Sequence, residues 1–165
     1  MVLLYMTGSG LDNASCALVG QALGANNISA AKGFYSTFRI IASLLIGLIM
    51  LLQWTFREVL VDMYTNIPSV RTEALSAIYL LLFNIFPDLF KGMLKGIIKA
   101  KGIQHKAVWV HLLCHWMIFP TSTWLFAFHY KWGLVGLWLA KIILEWSVVT
   151  CYTFIIWTTP WEESA

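Results

Sequence analysis

Ile40-Ile-Ala-Ser-Leu-Leu-Ile-Gly-Leu-Ile-Met-Leu-Leu52 carries no charge. It is the centre of an apolar run over about 34–54, and a helix needs about 20 mainly apolar residues to cross the hydrocarbon of a bilayer. Working outward, comparable segments fall at about 2–23, 74–98, 107–128 and 134–157. The first is rich in Gly, Ser, Asp and Asn for a lipid-facing span and reads as a partial helix, entered partway through. The third is interrupted by Pro87 and Asp88, and the fourth contains Pro120. Both prolines are expected to kink their helices, which packed neighbours tolerate in membranes. The fold class expected is therefore all-α: a polytopic membrane helix bundle with about five spans, a single transmembrane domain over residues 1–165 and no soluble domain.

Composition leads the same way. The chain is 59% hydrophobic and 12% charged, whereas a soluble domain is about half apolar and about a quarter charged. The excess apolar surface implies a lipid bilayer as partner. Nine tryptophans suit the bilayer interface, where an amphipathic ring meets headgroups. Trp109, Trp116, Trp124, Trp132 and Trp138 read as anchors and packing groups, some of them able to stack on an aromatic or cationic substrate. The net charge of +3 does not cover a soluble face, so nucleic acid is not an expected partner. Met1 to Met6 has no basic start, which argues against a signal peptide.

Charge also separates the loops. Lys32 and Arg39 follow the first segment, and Lys95, Lys99, Lys101 and Lys106 surround the connection after the third. The alternate connections, 56–73 and 129–132, are mixed or weakly charged. The positive-inside rule makes the first group cytoplasmic and brings the C-terminus to the same side. On that topology the sequons at Asn13 and Asn27 are not used. Cys16, Cys114 and Cys151 lie in apolar stretches and read as small buried residues, without a disulfide framework.

Asp88 is the most informative single residue. A charged carboxylate at the bilayer centre costs roughly 2.5–3.5 kcal/mol on insertion scales, and such a residue usually faces a wet cavity or a partner. Pro87 frees a backbone carbonyl one turn earlier, which would help to line a cation site. Asn84 and Asp88 share a helix face, and Lys91, Lys95 and Lys99 continue the stripe. Asp88 and Asn84 are thus candidates for a proton-carrying or cation site; the alternative is that Asp88 simply pairs with Lys91.

Lys141 and Glu145, one turn apart, read as an internal pair, structural or cavity-lining. Asp12 either lines a cavity or marks a helix break. His111, Cys114 and His115 occupy one side of their helix, but no second cluster completes a metal site, so no metal or other cofactor is expected. Gly20-xxx-Gly24 and Gly92-xxx-Gly96 have the spacing of close helix packing, and Gly133 with Gly136 marks a tight helix start. No nucleophile–base pair, phosphate loop or HExxH motif is present, so the chain does not read as an enzyme.

Several strings, in order, carry a family resemblance. Gly10-Leu-Asp-Asn-Ala-Ser15, Val19-Gly-Gln-Ala-Leu-Gly-Ala25 and Ala31-Lys32 are similar to an "AS…VGxxLGA…AK" pattern. Tyr64-Thr65-Asn66 with Val70 resembles "FTxDxxV". Pro87-Asp88-Leu-Phe-Lys-Gly92, Gly96, Lys101-Gly-Ile-Gln104 and Ala107 resemble "DxxxGvxxGxxxGxGxQkxGA", followed by the proline matched by Pro120. Ala127-Phe-His-Tyr-Lys-Trp-Gly-Leu-Val-Gly-Leu-Trp138 looks like "aFxxxxGlxGLW", and Trp161-Glu-Glu resembles a "DWeee" tail. Together these strings resemble the C-terminal lobe of the multidrug and toxin extrusion (MATE) family.

The resemblance implies a partial antiporter fold and a small organic, often cationic, substrate exported in exchange for H⁺ or Na⁺. It implies a role for Asp88 in binding that cation or the substrate, and alternating access by rocking of lobes. It also implies a partner, the N-terminal lobe, that this sequence does not contain. Lys91 departs from the pattern, since the family seldom has a fixed positive charge there, and Asn66-Ile-Pro68 lacks the usual acid. The chain is accordingly expected to be a piece of a larger bundle, inactive alone. The rival expectation is a structural or regulatory membrane fragment that transports nothing.

Overall fold

Met93, Leu94, Ile97 and Ile98 are fully buried, and all four lie on one long helix around which the rest of the chain is wound. The computed structural model describes residues 2–65 and 67–162, and the side chains of these except 2–4, 76 and 77. Asn66 and Glu163, which belong to two of the resemblance strings, lie outside the described residues. Among the described residues there is no strand. The helices are α1 (Val2–Gly24), α2 (Ile28–Thr55), the short α3 (Arg57–Asp62), α4 (Pro68–Ala100), α5 (Gln104–Leu113), α6 (Phe119–Thr123) and α7 (Gly133–Thr158). Two π-helical segments, Cys114–Ile118 and Trp124–His129, flank α6 and join α5 to it and to the last turn. Helix α4 packs on α1, α7 and α2, with α1 its most extensive neighbour.

The helices run past the apolar segments read from the sequence. Asn27 starts α2 early, because its side chain accepts the Ala30 N–H and so satisfies one of the unpaired amides of the first turn. Pro68 stands at the start of α4, where the missing N–H costs nothing. Helix α3 occupies part of what the sequence presents as a loop; its Asp62 pairs with Arg71 at 2.6 Å, and the hydrogen bond from Arg71 holds that carboxyl below its usual range.

By length and apolar composition α2 and α7 are each able to cross a membrane, and α4 makes a third when its two parts are one span. Helix α1 falls outside that measure through its own polar residues, Asp12, Asn13 and Gln21 among them. The stretch from Gln104 to His129 falls outside it because the helix changes pitch.

The prolines act differently from the kinks expected. The 45° bend in α4 lies between Leu75 and Ile78, upstream of Pro87, and Ile78–Ala100 continues through the proline. Around Pro120 the response is a wider turn, with the Phe119 N–H bonding back to the Cys114 carbonyl. A π-turn makes room for a ring that would otherwise strike the preceding turn.

Close approach between α1 and α4 is built from glycine. A Cβ at Gly92 would lie 2.5 Å from the Gly8 carbonyl oxygen, and one at Gly96 would run into Ser15 Oγ and the Asp12 carbonyl. Ser15, fully buried, donates to the Leu11 carbonyl at 2.7 Å and also reaches the Met93 carbonyl of α4 at 3.1 Å. Small residues and a hydroxyl bridge are how helices associate where no water drives them together. Gly20 makes only ordinary contact with Ala100, and nothing lies near the Cβ position of Gly24, so that pair is not a tight crossing. Gly133 has a φ of +54°, and Gly136 meets the Phe126 backbone, consistent with a sharp start to α7. Outward, α2 exposes Ile40, Ile41, Leu44, Leu48, Leu51 and Leu52, the kind of surface that suits lipid.

Candidate functional site

Between α1, α4, α5 and the first π-helical segment is a cavity of about 760 Å³, with Tyr152 of α7 also on its wall. It forms because glycine draws α1 against α4 while the polar stripe of α4 faces away from the apolar core. That stripe recurs at helical spacing: Asp88, Lys91, Lys95 and Lys99 all line the cavity. Asp12 projects into the same space from α1. Helix α1 runs unbroken past it.

The charges are arranged as two clusters. In the first, Lys91 Nζ lies 3.0 Å from Asp88 Oδ1 and 2.5 Å from Glu145 Oε2 of α7. Lys141 Nζ lies 3.1 Å from the other Glu145 oxygen. The row therefore alternates in sign: Asp88, Lys91, Glu145, Lys141. Glu145 is enclosed, its side chain 4% exposed, whereas the Asp88 side chain is 45% exposed. Both oxygens of Glu145 are occupied by lysines. Lys91 engages one oxygen of Asp88.

In the second cluster Asp12 is held by Lys99 at 2.8 Å, with Lys95 farther away at 3.9 Å. A buried charge is tolerable only when paired and hydrogen-bonded, and each buried acid here has a lysine. Lys91 thus stands beside Asp88 and pairs with it. Its link to Glu145, 54 residues away, was not legible from spacing.

The other sequence-selected residues separate. Asn84 is buried, and its Oδ1 has no hydrogen-bond partner among the described residues; it does not line the cavity with Asp88. Lys141 and Glu145 form the expected pair but stand behind Lys91 and off the cavity wall. His111 and His115 line the cavity with their rings 3.9 Å apart. Cys114 interacts with Cys151 and does not line the cavity, and no group of three metal-ligating side chains occurs among the described residues. All three cysteines are free; Cys114 is buried, but Cys16 and Cys151 are only half-buried.

One lysine has a role that the sequence did not reveal. Lys101 is buried, with Nζ 2.6 Å from the Thr159 carbonyl, 3.3 Å from the Ile156 carbonyl and 4.4 Å from the centre of the Trp161 ring. It closes the C-terminal end of α7, where a cation complements the helix dipole.

Comparison with known proteins gives a consistent result. The family model described as MatE matches residues 1–124. The chain is 27% identical to Protein DETOXIFICATION 15 of Arabidopsis thaliana, over 97% of this chain and 33% of that protein. It is 26% identical to Multidrug and toxin extrusion protein 1 of Mus musculus, over 99% of this chain and 29% of that protein. Among solved structures, the eukaryotic MATE transporter AtDTX14 superposes with a TM-score of 0.91 at 22% identity, covering 98% of this chain and 36% of that one. The chain thus spans about a third of the length of the relatives it matches.

Proposed function

This chain belongs to the MatE family, and from that membership we propose that it forms part of a secondary active transporter that exports organic compounds by antiport with H⁺ or Na⁺. The relatives bear the names of multidrug resistance and multidrug and toxin extrusion proteins, and those relatives are transporters, not enzymes. The observation that carries the proposal is the position of Asp88. It is the half-exposed end of an alternating charge row, open to a cavity, while Glu145 at the other side of Lys91 is sealed.

Such a row has a cheap switching step. When a proton or sodium ion takes the Asp88 carboxylate, Lys91 retains Glu145 as its counter-ion, so no ammonium is stranded. The cost of breaking a buried pair, about 3–5 kcal/mol when one partner is left alone, is then largely avoided. Asn84 lies one turn before Asp88 with a buried oxygen that has no partner among the described residues, and in a second conformation it would serve as an additional cation ligand. Alternating access would exchange the cavity between the two faces of the membrane.

The test is Asp88→Asn in the intact protein, with substrate efflux measured under imposed proton and sodium gradients. Efflux should fall at least about tenfold, the effect of about 1.4 kcal/mol, with membrane insertion unchanged. The gradient whose effect disappears identifies the coupling ion. Unchanged efflux would remove the coupling role of Asp88; no efflux from the unchanged protein would leave the second reading, a brace between α4 and α7 that transports nothing, which the 2.5 Å Lys91–Glu145 contact favours.

A further inference from the structure

Two arginines lie against aromatic rings of α2, and they differ in their counter-ions. The Arg57 guanidinium is 4.8 Å from the centre of the Trp54 ring and 3.7 Å from the Glu58 carboxylate. The Arg39 guanidinium is 5.7 Å from the centre of the Tyr35 ring, and it pairs with no acid among the described residues. Tyr35 in turn contacts the Trp161 ring of the C-terminal segment. Lys32, two turns before Arg39 on the same face of α2, lies 3.6 Å from Glu162, and Lys106 reaches the Thr159 hydroxyl at 3.4 Å. Lys32, Arg39 and Lys106 are all exposed. The Lys32–Glu162 pair is exposed on both sides, and such a pair contributes little, so another anion is able to replace it. Depth sharpens the case for Arg39. It immediately precedes the uncharged run Ile40 to Leu52, and Ile40, Ile41 and Leu44 beside it are exposed. With Trp54 at the opposite interface, Arg39 stands about 22 Å along the helix axis in a hydrocarbon layer about 30 Å thick. Its guanidinium must then reach outward to the headgroups.

We propose that this end of α2 binds an anionic phospholipid. Arg39 holds the phosphate, Lys32 and Lys106 supply further positive charge, and the acyl chains lie along the exposed Ile40, Ile41 and Leu44. A planar guanidinium presents two parallel N–H donors to a phosphate, the strong, charge-assisted class of contact. Basic surfaces where membrane helices meet the cytoplasmic side are where such headgroups dock. Glu162 is the competitor: it occupies Lys32 when the lipid is absent and gives way as the headgroup enters. Phosphatidylcholine carries the same phosphate but brings its own cation, which the lysines repel. The proposal stands apart from the transport reading, since none of these residues lines the cavity.

Binding is measured on the intact protein in an uncharged detergent, titrated with dioctanoyl phosphatidylglycerol or dioctanoyl phosphatidylcholine, the retained lipids being counted by native mass spectrometry. Phosphatidylglycerol should bind at least about fivefold more tightly than phosphatidylcholine, and Arg39→Gln should remove that preference. Arg39→Lys should keep most of it, which separates a lost charge from a misfolded variant. Arg57→Gln, at the opposite end of α2, should leave it unchanged. Glu162→Gln should tighten phosphatidylglycerol, the opposite sign. An excess of inorganic phosphate should leave the lipid bound. Equal binding of the two lipids, displacement by inorganic phosphate, indifference to Arg39→Gln, or an equal loss in Arg57→Gln would overturn the proposal.

Discussion

At the scale of single residues, what matters is how little room some of them have. Gly96 lets α1 lie on α4 closely enough for Ser15 and Asp12 to meet it, and the Asp12–Lys99 pair depends on that approach. Gly96→Ala should destabilise the bundle by about 1–3 kcal/mol, the usual cost of overpacking, and should separate Asp12 from Lys99. Gly20→Ala, whose Cβ would meet only Ala100 at 3.8 Å, should be neutral. Unfolding in mixed micelles compares the two, and equal stability of both variants would count against glycine-mediated packing at Gly96. The sequence made these glycines conspicuous, but not which of them were in contact. Gly92-xxx-Gly96 and Gly20-xxx-Gly24 have the same spacing, and only the helix opposite each pair distinguishes them. Asp88 was legible because its cost depends on its own surroundings along one apolar stretch. Asp12 was ambiguous for the converse reason: its nearest partner, Lys99, lies 87 residues away on α4.

At the scale of elements, the legible features were those contained within one helix. The Lys141–Glu145 pair is four residues apart and was found as expected. The stripe Asp88, Lys91, Lys95 and Lys99 follows helical periodicity and faces one cavity. Features that depend on the rotation of one helix against another were not legible, among them the link from Lys91 to Glu145 and the burial of Lys101. Loop charge suggested that Lys101 belonged to a solvated basic turn. Instead it folds under the end of α7 and fixes the segment that carries Thr159 and Trp161. Lys101→Met keeps much of the volume and removes the donor. It should cost roughly 1.5–3 kcal/mol, the range for hydrogen bonds to a charged group, and expose the chain after Thr158 to protease. A cleavage rate equal to that of the unchanged protein would show that the lysine does not hold this end.

At the scale of the whole molecule, the two ends of the bundle differ in charge, and that difference predicts its orientation. Several contacts gather one end: Lys32 lies 3.6 Å from Glu162, the Tyr35 and Trp161 rings are 5.8 Å apart, and Lys106 reaches Thr159 at 3.4 Å. The turn from α1 to α2, the turn from α4 to α5 and the C-terminal segment therefore share a side, and Lys99 and Lys101 belong to it. The opposite end holds α3 and the turn at Tyr130 to Trp132, where Arg57, Arg71 and Lys131 are offset by Glu58, Asp62 and Glu73. Lysine and arginine counted near the span ends favour the first side as cytoplasmic, since acidic residues contribute little to that rule. In cells producing the intact protein, Glu162→Cys should resist a membrane-impermeant maleimide until the membrane is permeabilised. Tyr130→Cys, 52% exposed at the other end, should react at once. The unchanged protein, with Cys114 buried and Cys16 and Cys151 half-buried, sets the background. The reverse labelling pattern would invert the topology, and the Asp12 end of the cavity would then face the outside of the cell.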